Sequence, residues 1–318
     1  MKRSLKRKLI DTLKSVYLRR YYGLIKKGTY VKHDVVCRLD GRIKHGGLSD
    51  RFYGIISAYK FCKDNNKRFG LLYTSPFDLQ EFLVPNRYNW KVEESDVLHN
   101  IRDVFPIYIS IVYKDRNMMR EYFTRKLSGK TGRQVHLYSN AKIYDDAEFS
   151  LLFNELFNPS PRLSKKLEAL KSKHKEGYVS VTFRFQKLLG DFNEGNYPVI
   201  DDKQERERLI TLCLRVVADV SGRHQGSEVL VTSDSISFLE IVSQVPGVFI
   251  IPGTLAHIDY VAPDEFSLDV YEKSFLDLFM IASASKVYDV RDYPLYSGGF
   301  AYTASLIGGK PFEELRLQ

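Results

Sequence analysis

The second half of the chain limits the possible folds most, because short, continuous, β-branched runs alternate there with helical patterns. Residues 178–185, 228–232, 248–251 and 286–289 read as strands. Helical segments are expected over 202–220, 235–244, 271–284 and 300–307, the last ending at the C-cap pair Gly308-Gly309. Strands that are apolar on both faces need cover on both faces, and intervening helices supply it. The pattern therefore predicts a parallel, doubly wound α/β sheet.

The first half carries a weaker version of the same rhythm. A strand over 34–39 runs into the loop 40–47, then a helix over 48–63 and a short strand over 71–73. Residues 107–113 and 135–138 are strand-like, with a polar segment between them. A helix over 146–158 is broken by Asn158-Pro159-Ser160-Pro161, and a charged helix over 163–174 leads to Gly177. A chain of 318 residues exceeds the usual size of one hydrophobic core. Two α/β domains are expected, 29–168 and 169–318, preceded by an N-terminal helix over 1–28.

That helix carries the charge. Residues 1–27 hold ten Lys or Arg against the single acid Asp11, which accounts for the whole net charge of +9. The remainder is formally neutral, so the basic balance does not indicate a nucleic-acid surface. Leu5, Leu9, Leu13, Val16, Tyr17 and Leu24 recur at helical spacing among the cations. Docking on an anionic membrane surface and packing against the domain are both open to such a helix. No apolar run is long enough to span a bilayer, and the N-terminus lacks the apolar core of a signal peptide. Cys37, Cys62 and Cys213 stand far apart, without ligand spacing, so neither a disulfide framework nor a zinc site is expected. The expected location is cytoplasmic, with peripheral attachment to the inner membrane face as an option.

In parallel sheets, ligands sit beyond the carboxyl ends of the strands. Four polar clusters fall there. Gly46-Gly47-Leu48-Ser49-Asp50-Arg51 would let backbone N–H groups approach a phosphate or sugar, although a tight turn explains two glycines equally well. Arg184 ends the strand 178–185; its partner is either a ligand diphosphate or an internal acid such as Asp191 or Asp234. Thr232-Ser233-Asp234-Ser235 offers Asp234 to a ribose or a base, or Asp234 or Ser235 as a helix N-cap. Tyr296-Ser297-Gly298-Gly299-Phe300-Ala301 precedes a helix of small residues and forms a candidate anion cradle.

In this order the clusters resemble those of the GDP-fucose-dependent fucosyltransferase superfamily, which includes bacterial α-1,2- and α-1,6-fucosyltransferases and protein O-fucosyltransferases. Gly46-Gly47-Leu48-Ser49-Asp50-Arg51-Phe52 is similar to the Gly-rich loop G-x-G-N/D-x-L. Val181-Thr182-Phe183-Arg184 resembles the strand H-x-R-R-x-D, and Val229-Leu230-Val231-Thr232-Ser233-Asp234-Ser235 the "ATDD" strand. The stretch from Asp277-Leu278-Phe279-Met280 through Ser297-Gly298-Gly299-Phe300-Ala301 to Gly308-Gly309-Lys310-Pro311 resembles the donor-site end. The chain departs from the pattern at Thr182, where relatives carry His, and at Phe185, where they carry a second Arg. Residues 80–160 show none of it.

The resemblance implies a GT-B fold: two Rossmann-like domains whose parallel sheets face a central cleft, with the acceptor on the first domain and the nucleotide sugar on the second. It implies inverting, metal-independent transfer of fucose from GDP-fucose to a saccharide in cell-surface polysaccharide or glycan assembly, with no cofactor. Donor-binding residues would be Gly46, Gly47, Thr182, Phe183, Asp234, Ser235, Ser297, Gly298, Gly299 and Phe300. Arg184 would carry the developing diphosphate charge, and Asp50, ahead of His45 and Asp40, would take the acceptor proton. The alternatives are a GT-B transferase using another nucleotide sugar, or a non-catalytic nucleotide- or glycan-binding protein at membranes. His257-Ile258-Asp259 reads as a structural or donor-side cluster.

Overall fold

The computed structural model describes residues 2–24, 32–130, 132–192, 197–254 and 268–317. His257-Ile258-Asp259 lies outside them. The chain divides into two compact units, Met1–Asn158 and Pro159–Gln318. The division falls before the expected 168/169 because the helix after Pro159 packs on the second unit.

The first unit begins with α1 (Lys2–Arg19), followed by β1 (Val35–Leu39), α2 (Leu48–Asp64), β2 (Phe69–Tyr73) and β3 (Leu83–Pro85). It continues with β4 (Val104–Ile109), α3 (Arg116–Leu127), β5 (Gln134–Ser139), α4 (Asp146–Leu156) and β6 (Phe157–Pro159), which pairs with β3. Four strands form a parallel sheet in the order β2-β1-β5-β4. β1, β2 and β5 are buried along their whole length, β5 with Gln134, His136 and Ser139 among its buried residues. The polar segment before β5 is in fact α3. Its buried residues Met119, Tyr122, Phe123 and Leu127 recur at helical spacing, and Asp115 caps its first turn.

A buried polar network lies beneath the loop after β1. Asp40 accepts from Arg38 Nε at 2.9 Å and from the Tyr138 hydroxyl at 2.9 Å. His136 Nδ1 takes the Tyr22 hydroxyl and Arg38 Nη1, and Nε2 faces Gln134 Oε1 at 2.7 Å. Burial, then the neighbouring Arg38 cation, hold this imidazole well below its ordinary pKa. It is thus neutral, with its proton on Nε2.

In the second unit α5 (Pro161–Lys173) leads into β7 (Tyr178–Phe183), α6 (Lys203–Arg223), β8 (Glu228–Ser233), α7 (Ile236–Val242) and β9 (Val248–Phe249). Then come α8 (Leu268–Ser283), β10 (Val287–Val290), α9 (Phe300–Gly308) and β11 (Phe312–Leu315). All five strands are parallel, in the order β11-β10-β7-β8-β9. Phe183, Phe185, Val231 and Phe238 anchor one face of the core. Gly309 ends α9 in the left-handed conformation, at φ 60°. The preceding Gly308 has a second role: a Cβ there would overlap the carbonyl of Ala282, so glycine lets α9 lie directly on α8.

All three cysteines are free and buried, two in the first unit and one in the second. Burial raises the thiol pKa of each. No helix among the described residues is long and apolar enough to cross a membrane.

Candidate nucleotide-binding site

Strand order locates the site. From β7 the chain steps outward to β8 and β9, then crosses back to β10 on the other side of β7 and moves outward again to β11. Strand order therefore reverses between β7 and β10, the place where ligands of such sheets bind, beyond the carboxyl ends of the strands. Arg184 follows β7 directly, and the turn 296–299 joins β10 to α9.

Backbone and side chain bring these two segments together. The N–H of Tyr296 donates to the carbonyl of Arg184 at 2.9 Å. Arg184 Nη1 pairs with Asp234 Oδ2 at 3.0 Å, and its guanidinium lies over the Phe192 ring, 5.3 Å from the centroid. The side chain stays 23% exposed while Asp234 is 5% exposed, so the ion pair fixes the cation without enclosing it. A Cβ on Gly298 would lie 3.9 Å from Arg184 Cγ, an ordinary contact distance with room to spare.

Arg291 holds the turn from its other side. Its Nε donates to Asp289 Oδ2 at 2.6 Å, Nη1 to Glu314 at 2.6 Å, and Nη2 to the carbonyl of Gly298 at 3.2 Å. Thr303 closes the turn with two bonds to the Gly299 carbonyl, at 2.9 Å from N–H and 2.7 Å from the hydroxyl. Burial raises the carboxyl pKa of Asp289 to about 6, against the pull of Arg291.

Helix capping singles out the same positions. Helices α3 to α7 all start under an Asp or Ser side chain that bonds a first-turn N–H. By contrast α2 and α9 start at Gly47 and Gly299 with no side-chain cap. The first N–H groups of a helix have no partner within it, and a missing cap leaves them for an anion. At α9 that end stands beside Arg184.

Of the expected donor contacts, Arg184, Ser297, Gly298, Gly299 and Phe300 are brought to one place. Four others have inward roles. Phe183 is fully buried and its ring packs on Phe185 and Phe238, so its side chain serves the core. Ser235, also fully buried, is the N-cap of α7 and bonds Asp191 at 2.9 Å. Asp234 accepts from the N–H groups of Phe185 and Gln186, both at 2.7 Å, and pairs with Arg184. It shapes the loop after β7, the internal-acid alternative for Arg184. Thr182 is buried with its hydroxyl 2.8 Å from that of Thr232. Asp277, from the resembling donor-site end, is buried in a pair with Lys273 at 2.8 Å.

In the first unit, Gly46 adopts φ 92°, and a Cβ there would overlap the carboxylate of Asp50. Arg51 grips the turn, donating to the Gly46 carbonyl at 3.1 Å and to the Ser75 carbonyl at 3.0 Å. Gly54 admits the end of β5, since a Cβ would overlap the Ser139 carbonyl. His45 is 2% exposed and stacks on Tyr138 at 6.0 Å. Asp40 and Asp50 are both partly exposed, but the Asp40 carboxylate is already engaged by Arg38 and Tyr138.

Arg291, Asp289 and Arg51 were not among the expected site residues. The signal for the first pair is Asp289-Val290-Arg291: an acid and a cation two apart at a strand end share one face. Nothing in the sequence alone assigns Arg51 to the Ser75 carbonyl. Among the described residues no group of three or more His, Cys, Asp or Glu is placed to hold a metal ion.

No protein-family model and no curated sequence matches the chain. Solved structures do match in fold. The fucosyltransferase NodZ from Bradyrhizobium aligns with TM-score 0.53 at 14% identity, covering 87% of this chain and 93% of that one. A mutant of Arabidopsis thaliana FUT1 in complex with GDP aligns with TM-score 0.52 at 13% identity, over 91% and 71%. POFUT1 in complex with GDP aligns with TM-score 0.50 at 10% identity, over 91% and 99%. The chain thus has the GT-B-like fold of these proteins along most of its length.

Proposed function

We propose that this chain is a glycosyltransferase that moves fucose from GDP-fucose to a saccharide acceptor, with inversion and without a metal ion. The observation that carries the reading is the pairing of Arg184 with the uncapped, glycine-opened start of α9, beyond the ends of β7 and β10. A guanidinium and a helix N-terminus converge there, as a diphosphate requires. The fold supports it further, since NodZ has been soaked with GDP-fucose and co-crystallised with GDP.

Negative charge accumulates on the diphosphate as the sugar–oxygen bond breaks. Arg184, Gly298 and Gly299 would meet that charge with donors already in place, which lowers the barrier more than it strengthens ground-state binding. Arg291 would act through the Gly298 carbonyl, fixing the turn. Inversion needs a base for the acceptor hydroxyl, and we assign it to Asp50. The buried, reduced thiols and the basic N-terminal helix fit a cytoplasmic chain at the inner membrane face, in cell-surface glycan assembly.

Calorimetric titration with GDP, UDP and ADP tests the reading. GDP should bind, and a clear preference for UDP would remove the fucosyl assignment. One observation favours another nucleotide sugar within the same fold. Thr182 and Phe185, which replace the His and second Arg of the resembling pattern, face Thr232 and the core.

A further inference from the structure

Helix α1 is mounted with its apolar side outward. Leu5, Leu9, Leu13 and Val16 are 71%, 60%, 60% and 56% exposed. Their spacing of four, four and three residues lines one side of the helix. The opposite side, which packs along β4, is largely polar. Asp11 accepts from the N–H of Ser110 at 3.0 Å and from its hydroxyl at 2.6 Å. Ser15 Oγ accepts from the N–H of Tyr108 at 2.9 Å, Arg7 donates to the Ile111 carbonyl, and Leu18 is fully buried. Turning the leucines inward would break these bonds. The exposed stripe is therefore fixed by the fold.

Charge identifies what covers it. The exposed cations Lys6, Arg19 and Arg20 border the stripe, and Lys8 and Lys14 lie over the rings of Tyr113 and Tyr108 at 4.9 and 4.1 Å. Asp11 is the only acid in residues 1–27 and is 3% exposed, so the segment itself supplies cations without an exposed carboxylate of its own. Pairing two such faces from two copies would set like charges against one another. A bilayer containing anionic lipid meets both demands, an acyl boundary for the leucines and lipid phosphates for the cations.

Extending the placement of the chain at a membrane face, we propose that α1 docks the protein on anionic bilayers through Leu5, Leu9, Leu13 and Val16. The first unit, not a flexible tail, sets the orientation of that helix. The full chain should co-sediment with vesicles of phosphatidylcholine and phosphatidylserine, and salt should weaken the binding. The double variant Leu9→Ser/Leu13→Ser should bind them at least about tenfold more weakly, with Tm and GDP affinity unchanged, because both side chains already meet water. Three results overturn the proposal: no binding of wild type to the mixed vesicles, equal binding to phosphatidylcholine alone, or undiminished binding of the variant. A wild-type dimer that the variant converts to monomer also overturns it and assigns the face to a second copy. Lost vesicle binding with intact GDP binding removes the docking alone. Lost GDP binding with intact docking removes the transferase reading alone.

Discussion

Two glycine turns, Gly46-Gly47 before α2 and Gly298-Gly299 before α9, have the same layout and different reasons for their glycine. Each follows a parallel strand, each starts a helix without a side-chain cap, and in each a guanidinium grips the first glycine's carbonyl. At Gly46 the fold itself needs glycine, because the backbone is left-handed and Asp50 occupies the space of a Cβ. At Gly298 nothing in the protein comes closer than 3.9 Å. Packing therefore gives no reason for glycine at position 298. One glycine answers to the folded chain; under the proposed function the other answers to the nucleotide.

Substitutions can break that comparison. Arg184→Ala should reduce turnover by about two orders of magnitude or more, the scale of a lost transition-state charge contact. Arg184→Lys should recover part of it; if steady-state assays find both variants near wild type, Arg184 only balances Asp234. Gly46→Ala forces a left-handed alanine onto Asp50 and should cost about 2 kcal/mol in denaturant unfolding. Gly298→Ala should leave Tm in place yet weaken GDP binding about tenfold by calorimetry, since its methyl would take up space proposed for the diphosphate. If the two alanine variants behave alike, the distinction fails.

A pH-dependent effect concerns Asp289, whose folded pKa of about 6 exceeds the ordinary value of 3.8. A carboxyl raised in this way favours the folded state when protonated. Its contribution is therefore complete below pH 3.8 and lost as pH rises through about 6, up to roughly 3 kcal/mol. Asp289→Asn should flatten thermal stability between those limits.

What was legible in the sequence follows from the physics of each part. The strands of the second sheet were readable because burial on both faces leaves an unbroken apolar run, and Gly309 marked the end of α9 by its backbone demand. β11 was missed because its Glu313 and Glu314 face Lys286 and Arg291 in three dimensions, a pairing invisible along the chain. α3 was missed because only four of its twelve residues are buried. Within the site, composition at strand ends pointed to Arg184 and residues 297–300, which the fold brings close together. It could not tell an outward polar group from an inward one. Asp234 and Ser235 stand in a row that suits a ribose, yet both bond the protein. Direction depends on the neighbouring loops, and residues 185, 186 and 191 supply those partners.

The three enclosed thiols give the protein an internal clock. A thiol reagent cannot reach Cys37 or Cys62 until the first unit opens, nor Cys213 until the second does. Alkylation followed residue by residue would time the opening of each half separately, in the intact chain and without any added label. A nucleotide held by the second half should slow modification of Cys213 first.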